Sequence, residues 1–308
     1  MKGNIFYFSW EPTVMEWIQQ HLGTIGVEIA GVLSWFGEET MLVAILGYLY
    51  WCRNKSLAKQ LGTNLVVALV AAPMLKNIVF RIRPYFNHNG IRCLKPIDST
   101  ADIYNIRAQG YSFPSGHSTN AATAFGSLAW YIRKRWVICM GILIPLLVGI
   151  SRVLLGVHYP TDVLAGWGIG YCCAILFSEV QKKVRNNNLL HLVILICAIP
   201  GCFYCRTSDY FTALGTMLGF FVAVPFEERF VRFKETGSVL ISALRIAGGI
   251  AVFGVLNKLL KMPFRKAFLE SDVWSAYLVR TIRYGIIIFC MLAVYPLVFD
   301  KIRFRKGE

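Results

Sequence analysis

Apolar runs of bilayer length recur along the whole chain, separated by short polar or basic connectors. The pattern predicts helices over 33–52, 60–80, 116–132, 135–153, 162–181, 189–206, 210–226, 237–257 and 281–299. A crossing needs roughly 20 apolar residues, and shorter runs suffice where flanking Lys and Arg snorkel. Residues 12–23 (PTVMEWIQQHLG) read instead as a short amphipathic helix lying at the interface, and the first span begins either near 24 or near 33. The expected fold class is all-α, a polytopic membrane helical bundle of nine crossings, give or take about one.

Composition strengthens this reading. Of the 308 residues, 56% are hydrophobic and only 16% charged, with a mean hydropathy of +0.52. Soluble domains carry about 25% charged residues, so this chain cannot cover itself with polar surface, and lipid is the solvent for most of it. The net charge of +15 suits anionic headgroups, anionic substrates and the basic flanks of cytoplasmic loops. A nucleic-acid binder would also be basic, but no nucleic acid is expected as a partner. The nine Cys include Cys139, Cys172, Cys173 and Cys290 inside apolar runs. Those standing inside apolar runs read as small buried hydrophobes. The opening MKGNIFYFSWEPTVMEW meets acidic residues before any apolar run, so an uncleaved first span is expected to target the chain.

One side of the bundle collects Arg53, Lys55 and Lys59; Arg133, Lys134 and Arg135; Lys182, Lys183 and Arg185; Arg229, Arg232 and Lys234; and the tail Lys301, Arg303, Arg305 and Lys306. That side is expected to be cytoplasmic. Further cations lie on the opposite side, in 76–107 and 258–283, and need another explanation.

Three clusters supply one. Lys76 to Arg83-Pro84 closes the second span, YSFPSGHST (111–119) opens the third, and Ser151-Arg152 through His158 to Asp162 joins the fourth to the fifth. Counting crossings puts all three on the same, extracytoplasmic side. Lys76, Arg83 and Arg152 match the charge of a phosphoryl group, and arginine adds planar forks. Pro114-Ser115-Gly116 leads into a helix whose free N–H groups would face a bound anion, with a hydroxyl from Ser115. His158 and Asp162 stand four apart, on one face of a helix starting near Pro160. Asp162 can hold one ring nitrogen of His158 and leave the other free to attack, while His117 protonates the leaving oxygen and then activates water. Singly, each piece has a plainer reading: a snorkelling anchor, a helix cap, a satisfied surface pair. An ionisable Asp162 beside lipid is harder to explain that way.

The spacings KxxxxxxRP, PSGH and SRxxxxxHxxxD match, position for position, the signature of the type 2 phosphatidic acid phosphatase superfamily. The resemblance covers roughly 33–206 and implies a six-helix catalytic core, preceded by an interfacial segment 1–32 and followed by a C-terminal transmembrane extension 207–308. It implies phosphate binding by Lys76, Arg83, Ser115, Gly116 and Arg152. His158 would form a phosphohistidine, Asp162 would orient it, and His117 would be the general acid and base. Pro84, Pro114 and Ser151 would be supporting residues. The family implies metal-independent hydrolysis with no cofactor, and the sequence has no HExxH or clustered carboxylates. The expected partners are the lipid bilayer and an amphiphilic lipid phosphate substrate, with undecaprenyl (polyprenyl) diphosphate ahead of phosphatidylglycerophosphate or phosphatidate. Residues 85–113 are expected to lid the site, with Arg92, Lys95 and Arg107 available to a second phosphate. A transporter that binds a phosphate lipid without hydrolysing it remains the alternative, although binding alone would need no histidine pair.

Residues 210–299 add about three spans beyond the core. Arg245, inside the eighth, needs a partner, for which Glu227 or Glu228 are candidates. The basic, amphipathic loop 258–280, with Trp274 and Tyr277, is expected at the outer interface. Its LLKMPFRKAF faintly echoes LKNIVFRIRPYF at 75–86, but no second PSGH or HxxxD accompanies it. A surface for homo-oligomerisation, a lipid-access wall and a transporter-like module stay open as roles for this extension.

Overall fold

The structure, a computed structural model, describes residues 3–299. The basic tail from Lys301 to Lys306 lies outside the described residues. The longer helices are α1 (Trp10–His21), α2 (Thr24–Trp35), α3 (Glu39–Tyr48), α4 (Lys55–Val79), α5 (Gly116–Ile132), α6 (Arg135–Leu154), α7 (Pro160–Lys183), α8 (Asn187–Ala198), α9 (Ser208–Phe226), α10 (Val239–Leu259) and α11 (Trp274–Phe289). Among the described residues there is no sheet, only an isolated bridge between Asn4 and Arg81. The chain is an all-α, multi-pass membrane helical bundle. Among the described residues seven helices are long and apolar enough to cross a membrane, and α5, at 17 residues, is slightly shorter.

At the first span the helix takes one of the two expected starts, and at the last the boundary differs from the expectation. The first candidate span is a bent pair, α2 and α3, with a 46° break at Phe36-Gly37-Glu38, a broken span or a re-entrant loop, and its helical stretch starts at Thr24. The last helix starts at Trp274, so Arg280 and Arg283 ride on α11 instead of lying in or beside an interfacial loop. Arg280 and Arg283 share a face at helical spacing while Leu278 and Ile282 point outward, an amphipathic arrangement that lets the helix extend through the basic stretch.

The contacts divide the chain into two compact units, one from the chain up to Leu42 with Val67–Lys183, the other from Val43–Val66 with the chain from Val184 onward. In the first unit α5 packs on α6 and α7, and α2 on α6. Small residues set the α5–α7 distance: a Cβ on Gly170 would stand 2.5 Å from the Thr119 carbonyl, and one on Gly166 would stand 2.8 Å from that of Ser115. Close backbone approach of this kind is what small residues spaced four apart allow between membrane helices. Here it brings the start of α5 against the start of α7, where Ser115 N donates to the Asp162 carbonyl at 3.0 Å.

In the second unit α9 packs along α11, and Tyr50, Trp51, Phe233, Ile287, Met291 and Phe299 form an aromatic-rich core. The buried Glu227 accepts from Lys55 at 2.7 Å, and Glu228 accepts from Lys59 at 2.7 Å. Arg245 donates to the carbonyls of Trp51 and, at 3.0 Å, Lys234, with its guanidinium 4.1 Å over Phe299. Main-chain oxygens and a ring face thus meet this intramembrane cation, while the candidate carboxylates Glu227 and Glu228 pair with Lys55 and Lys59.

Candidate active site

Lys76 sits in the last turn of α4. The helix ends at Phe80, which takes the left-handed conformation (φ 54°) of a helix C-terminal cap. Asn4 secures the turn: its N–H donates to Phe80 O at 2.8 Å, its amide to Val79 O at 2.8 Å, and its carbonyl accepts from Ile82 N at 3.0 Å. Pro84 then opens a one-turn helix, and Arg83 is buried in front of it. The Arg83 Nε donates to the carbonyls of Gln109 (2.9 Å) and Gly110 (3.0 Å), and its Nη1 to that of Val157 (2.9 Å). The same Nη1 lies 3.4 Å from His158 Nε2.

Ser115 caps α5 by accepting from Ser118 N (3.4 Å) and Ser118 Oγ (2.9 Å), which leaves its own proton to donate. Pro114 beside it is buried and follows a cis peptide bond. The Lys76 Nζ lies 3.9 Å from where a Cβ on Gly116 would stand, so the ammonium faces the opening turn of α5. Gly37, at the α2–α3 break, abuts His117. A Cβ there would meet the His117 carbonyl at 2.7 Å and the His117 Cβ at 2.9 Å.

On the third cluster Ser151 turns back to donate to Val148 O at 2.6 Å. Arg152 is buried, and its Nη1 donates to Ser34 Oγ at 2.6 Å, while Nε and Nη2 have no partner among the described residues. His158 is buried with Nδ1 3.5 Å from Asp162 Oδ2, an electrostatic contact longer than a good hydrogen bond. Asp162 Oδ2 accepts from Tyr159 N at 2.8 Å, and Oδ1 from Arg81 at 2.6 Å. The three predicted clusters therefore meet in the first unit.

Three residues that sequence reasoning had not singled out complete the surroundings. Arg81, buried, forks between Asp162 Oδ1 and Glu11 Oε2 (3.0 Å), and also donates to Thr161 Oγ1 (2.7 Å) and Phe6 O (2.9 Å). Its guanidinium lies 4.0 Å over the Tyr159 ring. Glu11, on α1, further accepts from Thr161 N (2.9 Å), Thr161 Oγ1 (2.7 Å) and Phe8 N (2.9 Å). Ser34 holds Arg152. Thus α1 buries Glu11, Met15 and Gln19 and exposes Trp17 on its other side, contributing a carboxylate to the site's support. Arg81 was visible in the sequence between Lys76 and Pro84, but nothing local names its two carboxylate partners.

Burial, reinforced by Arg83, Arg152 and Lys76, pushes the His158 imidazole well below its usual pKa and keeps it neutral near neutral pH. The same three cations bear on His117. A buried guanidinium with orphan N–H groups is costly without an anion, so the arrangement suits a phosphoryl group set between Arg152, Lys76 and the α5 N-terminus, facing His158 Nε2. In the loop proposed as a lid, Lys95 pairs with Glu38 at 2.9 Å and Gln109 ties down Ile97, Asp98 and Asp102. Arg92 and Arg107 are exposed there.

Comparison with known proteins places these motifs in a family. The PAP2 superfamily model matches residues 57–186, and the model described as the PAP2 superfamily phosphatase, transmembrane extension, matches 211–307. An undecaprenyl-diphosphatase from Sulfolobus acidocaldarius is 29% identical over 151 residues, 49% of this chain and 68% of that protein. A phosphatidylglycerophosphatase B from Bacillus subtilis is 37% identical over 90 residues, 26% of this chain and 44% of that protein, less than half its length. A lipid A 1-phosphatase from Rhizobium etli is 30% identical over 175 residues, 51% of this chain and 72% of that protein. With its signature residues gathered in one unit and that breadth of similarity, the chain belongs to the PAP2 superfamily.

Proposed function

We propose that this chain is an integral membrane phosphatase that cleaves a phosphate or diphosphate monoester of a lipid through a phosphohistidine on His158. The observation that carries the reading is the buried Arg152, with two N–H groups unpartnered among the described residues, in the same cluster as a neutral, buried His158. The relatives named above act on undecaprenyl diphosphate, phosphatidylglycerophosphate and lipid A, all amphiphiles with a phosphate head.

In the proposed reaction the phosphoryl group lies against Lys76, Arg83, Arg152 and the Ser115-Gly116 turn. The His158 Nε2 lone pair attacks phosphorus while the ester oxygen departs with a proton from protonated His117. Asp162 stabilises the charge that His158 acquires. Neutral His117 then takes a proton from water, whose oxygen attacks phosphorus and breaks the P–N bond, releasing inorganic phosphate. These steps need only groups of this chain, so the reading assigns the chemistry no metal or other cofactor. Catalysis is assigned to the core 33–206, with 207–308 as the extension, and the site to the extracytoplasmic face, opposite the basic connectors.

A polyprenyl diphosphate is the preferred substrate, because the loop 85–113 is basic and holds Arg92 exposed for a second phosphate. Phosphatidylglycerophosphate and phosphatidate are the next candidates. Phosphate release from undecaprenyl diphosphate, phosphatidylglycerophosphate, phosphatidate and a soluble sugar phosphate by purified protein tests the assignment. The expectation is release from a lipid, insensitive to chelator, and lost in His158→Ala. Equal release by His158→Ala would rule out the phosphohistidine, and binding without release would favour the transporter alternative.

A further inference from the structure

In the second unit a buried arginine again has an unpartnered N–H, and no ion pair to a carboxylate accounts for it among the described residues. Arg283 on α11 is 4% exposed. Its Nη2 donates to Asn257 Oδ1 at 3.1 Å, and its Nε is buried with no partner among the described residues. The charges bearing on Lys261, just past the end of α10, are Arg283 and Arg280, both cations. Partial burial, reinforced by these two cations, pushes the Lys261 ammonium below the usual lysine range. Arg280 is spent only on the Leu269 carbonyl at 3.3 Å. The carboxylates of the intervening turn are engaged elsewhere: Glu270 sits 3.7 Å from Lys266, and Asp272 accepts from Tyr277 at 3.2 Å.

Three like charges drawn together repel, and a guanidinium buried within a membrane helix without a carboxylate partner is unfavourable. A dianion would relieve both, accepting from Arg283 and Arg280 in forks and from Lys261 as a point charge. Leu259, Met262 and Leu278 beside the cluster are exposed, which suits a ligand whose head is anionic and whose body is apolar. We propose that Asn257, Lys261, Arg280 and Arg283 form a second anion site that takes the phosphate monoester head of an amphiphile. The site shares no residue with the histidine cluster and stands whether or not that cluster hydrolyses its ligand.

Lys261 is exposed enough to report occupancy, and Lys266, with its side chain 87% exposed, is an internal control. The full chain in phosphatidylcholine nanodiscs is acetylated with a water-soluble amine reagent, and the two lysines are followed by peptide mass spectrometry. A non-hydrolysable phosphonate analogue of phosphatidate is expected to slow Lys261 acetylation roughly tenfold, the effect of one charge-assisted contact, and to leave Lys266 unchanged. Inorganic phosphate in a parallel arm separates free phosphate from a lipid head: protection by the lipid alone, or by both, supports the site. Arg283→Gln should abolish the protection, and Arg280→Gln reports the same loss should Arg283→Gln fold poorly. Unaltered Lys261 labelling, matching slowing of Lys266, or equal protection by phosphatidylglycerol would overturn the proposal.

Discussion

Replacing Arg81 with lysine isolates the contribution of a residue whose guanidinium is engaged by Asp162, Glu11 and Thr161. Arg81 spans two buried carboxylates, 2.6 Å from Asp162 Oδ1 and 3.0 Å from Glu11 Oε2. Lysine keeps the charge but is a point donor without the planar fork, so it can satisfy one carboxylate well and not both. Glu11 retains three other donors, from Thr161 N, Thr161 Oγ1 and Phe8 N, and the fold should survive. A hydrogen bond to a charged group contributes about 1.5–3 kcal/mol. If the loss falls on the setting of Asp162 against His158 Nδ1, kcat drops roughly 10- to 150-fold. KM should change little, because the Arg81 fork is engaged with Asp162, Glu11 and Thr161. The assay is phosphate release from a lipid monophosphate in detergent, with kcat and KM measured separately and thermal unfolding as a check on integrity. A folded Arg81→Lys with unchanged kcat, or with the whole loss in KM, would refute Arg81 as a positioning residue.

Gly37→Ala puts a Cβ 2.7 Å from the His117 carbonyl, and overpacking of this kind costs about 1–3 kcal/mol. Turnover should fall while Gly31→Ala, with nothing within 4 Å of the new Cβ, stays near wild type. Ser34→Ala removes the acceptor 2.6 Å from Arg152 Nη1; the loosened guanidinium should raise KM by roughly three- to tenfold, read from saturation curves. Because His158 is held well below its usual pKa by burial and by Arg83, Arg152 and Lys76, the acid limb of kcat/KM should lie below pH 6.5. The sign for stability is the same: the unfolded chain binds the proton more readily, so His158's contribution is complete above about pH 6.5 and falls as pH drops toward the lowered folded value. A limb at or above 6.5, or thermal stability that rises on acidification through this window, would count against a neutral, buried nucleophile.

Much of the candidate site was readable because its residues come in tight local groups. Ser115 caps the helix that it begins, and His158 and Asp162 are one helical turn apart, so short-range geometry already brings them into register. Ser151 spends its hydroxyl proton on Val148 O, because a hydroxyl late in a helix can bond its own backbone at least as easily as a ligand. Glu227 and Glu228 were the candidate partners for Arg245, since charge favours charge. Lys55 and Lys59, nearly 200 residues upstream of Arg245, had claimed Glu227 and Glu228.

By itself the sequence determined that this is a polytopic helical membrane protein, because long apolar runs admit no other way to satisfy backbone groups in lipid. It also displayed three basic and histidine-bearing clusters whose residue types suit phosphoryl chemistry. Which groups support them was decided only by the tertiary structure. Glu11 reaches Arg81 across 70 positions, Ser34 reaches Arg152 across 118, and the α2–α3 break sets Gly37 against His117. Periodicity reports which face a residue occupies on its own helix. Small residues and close packing settle which face of another helix it meets, and there Arg81 finds both of its carboxylates.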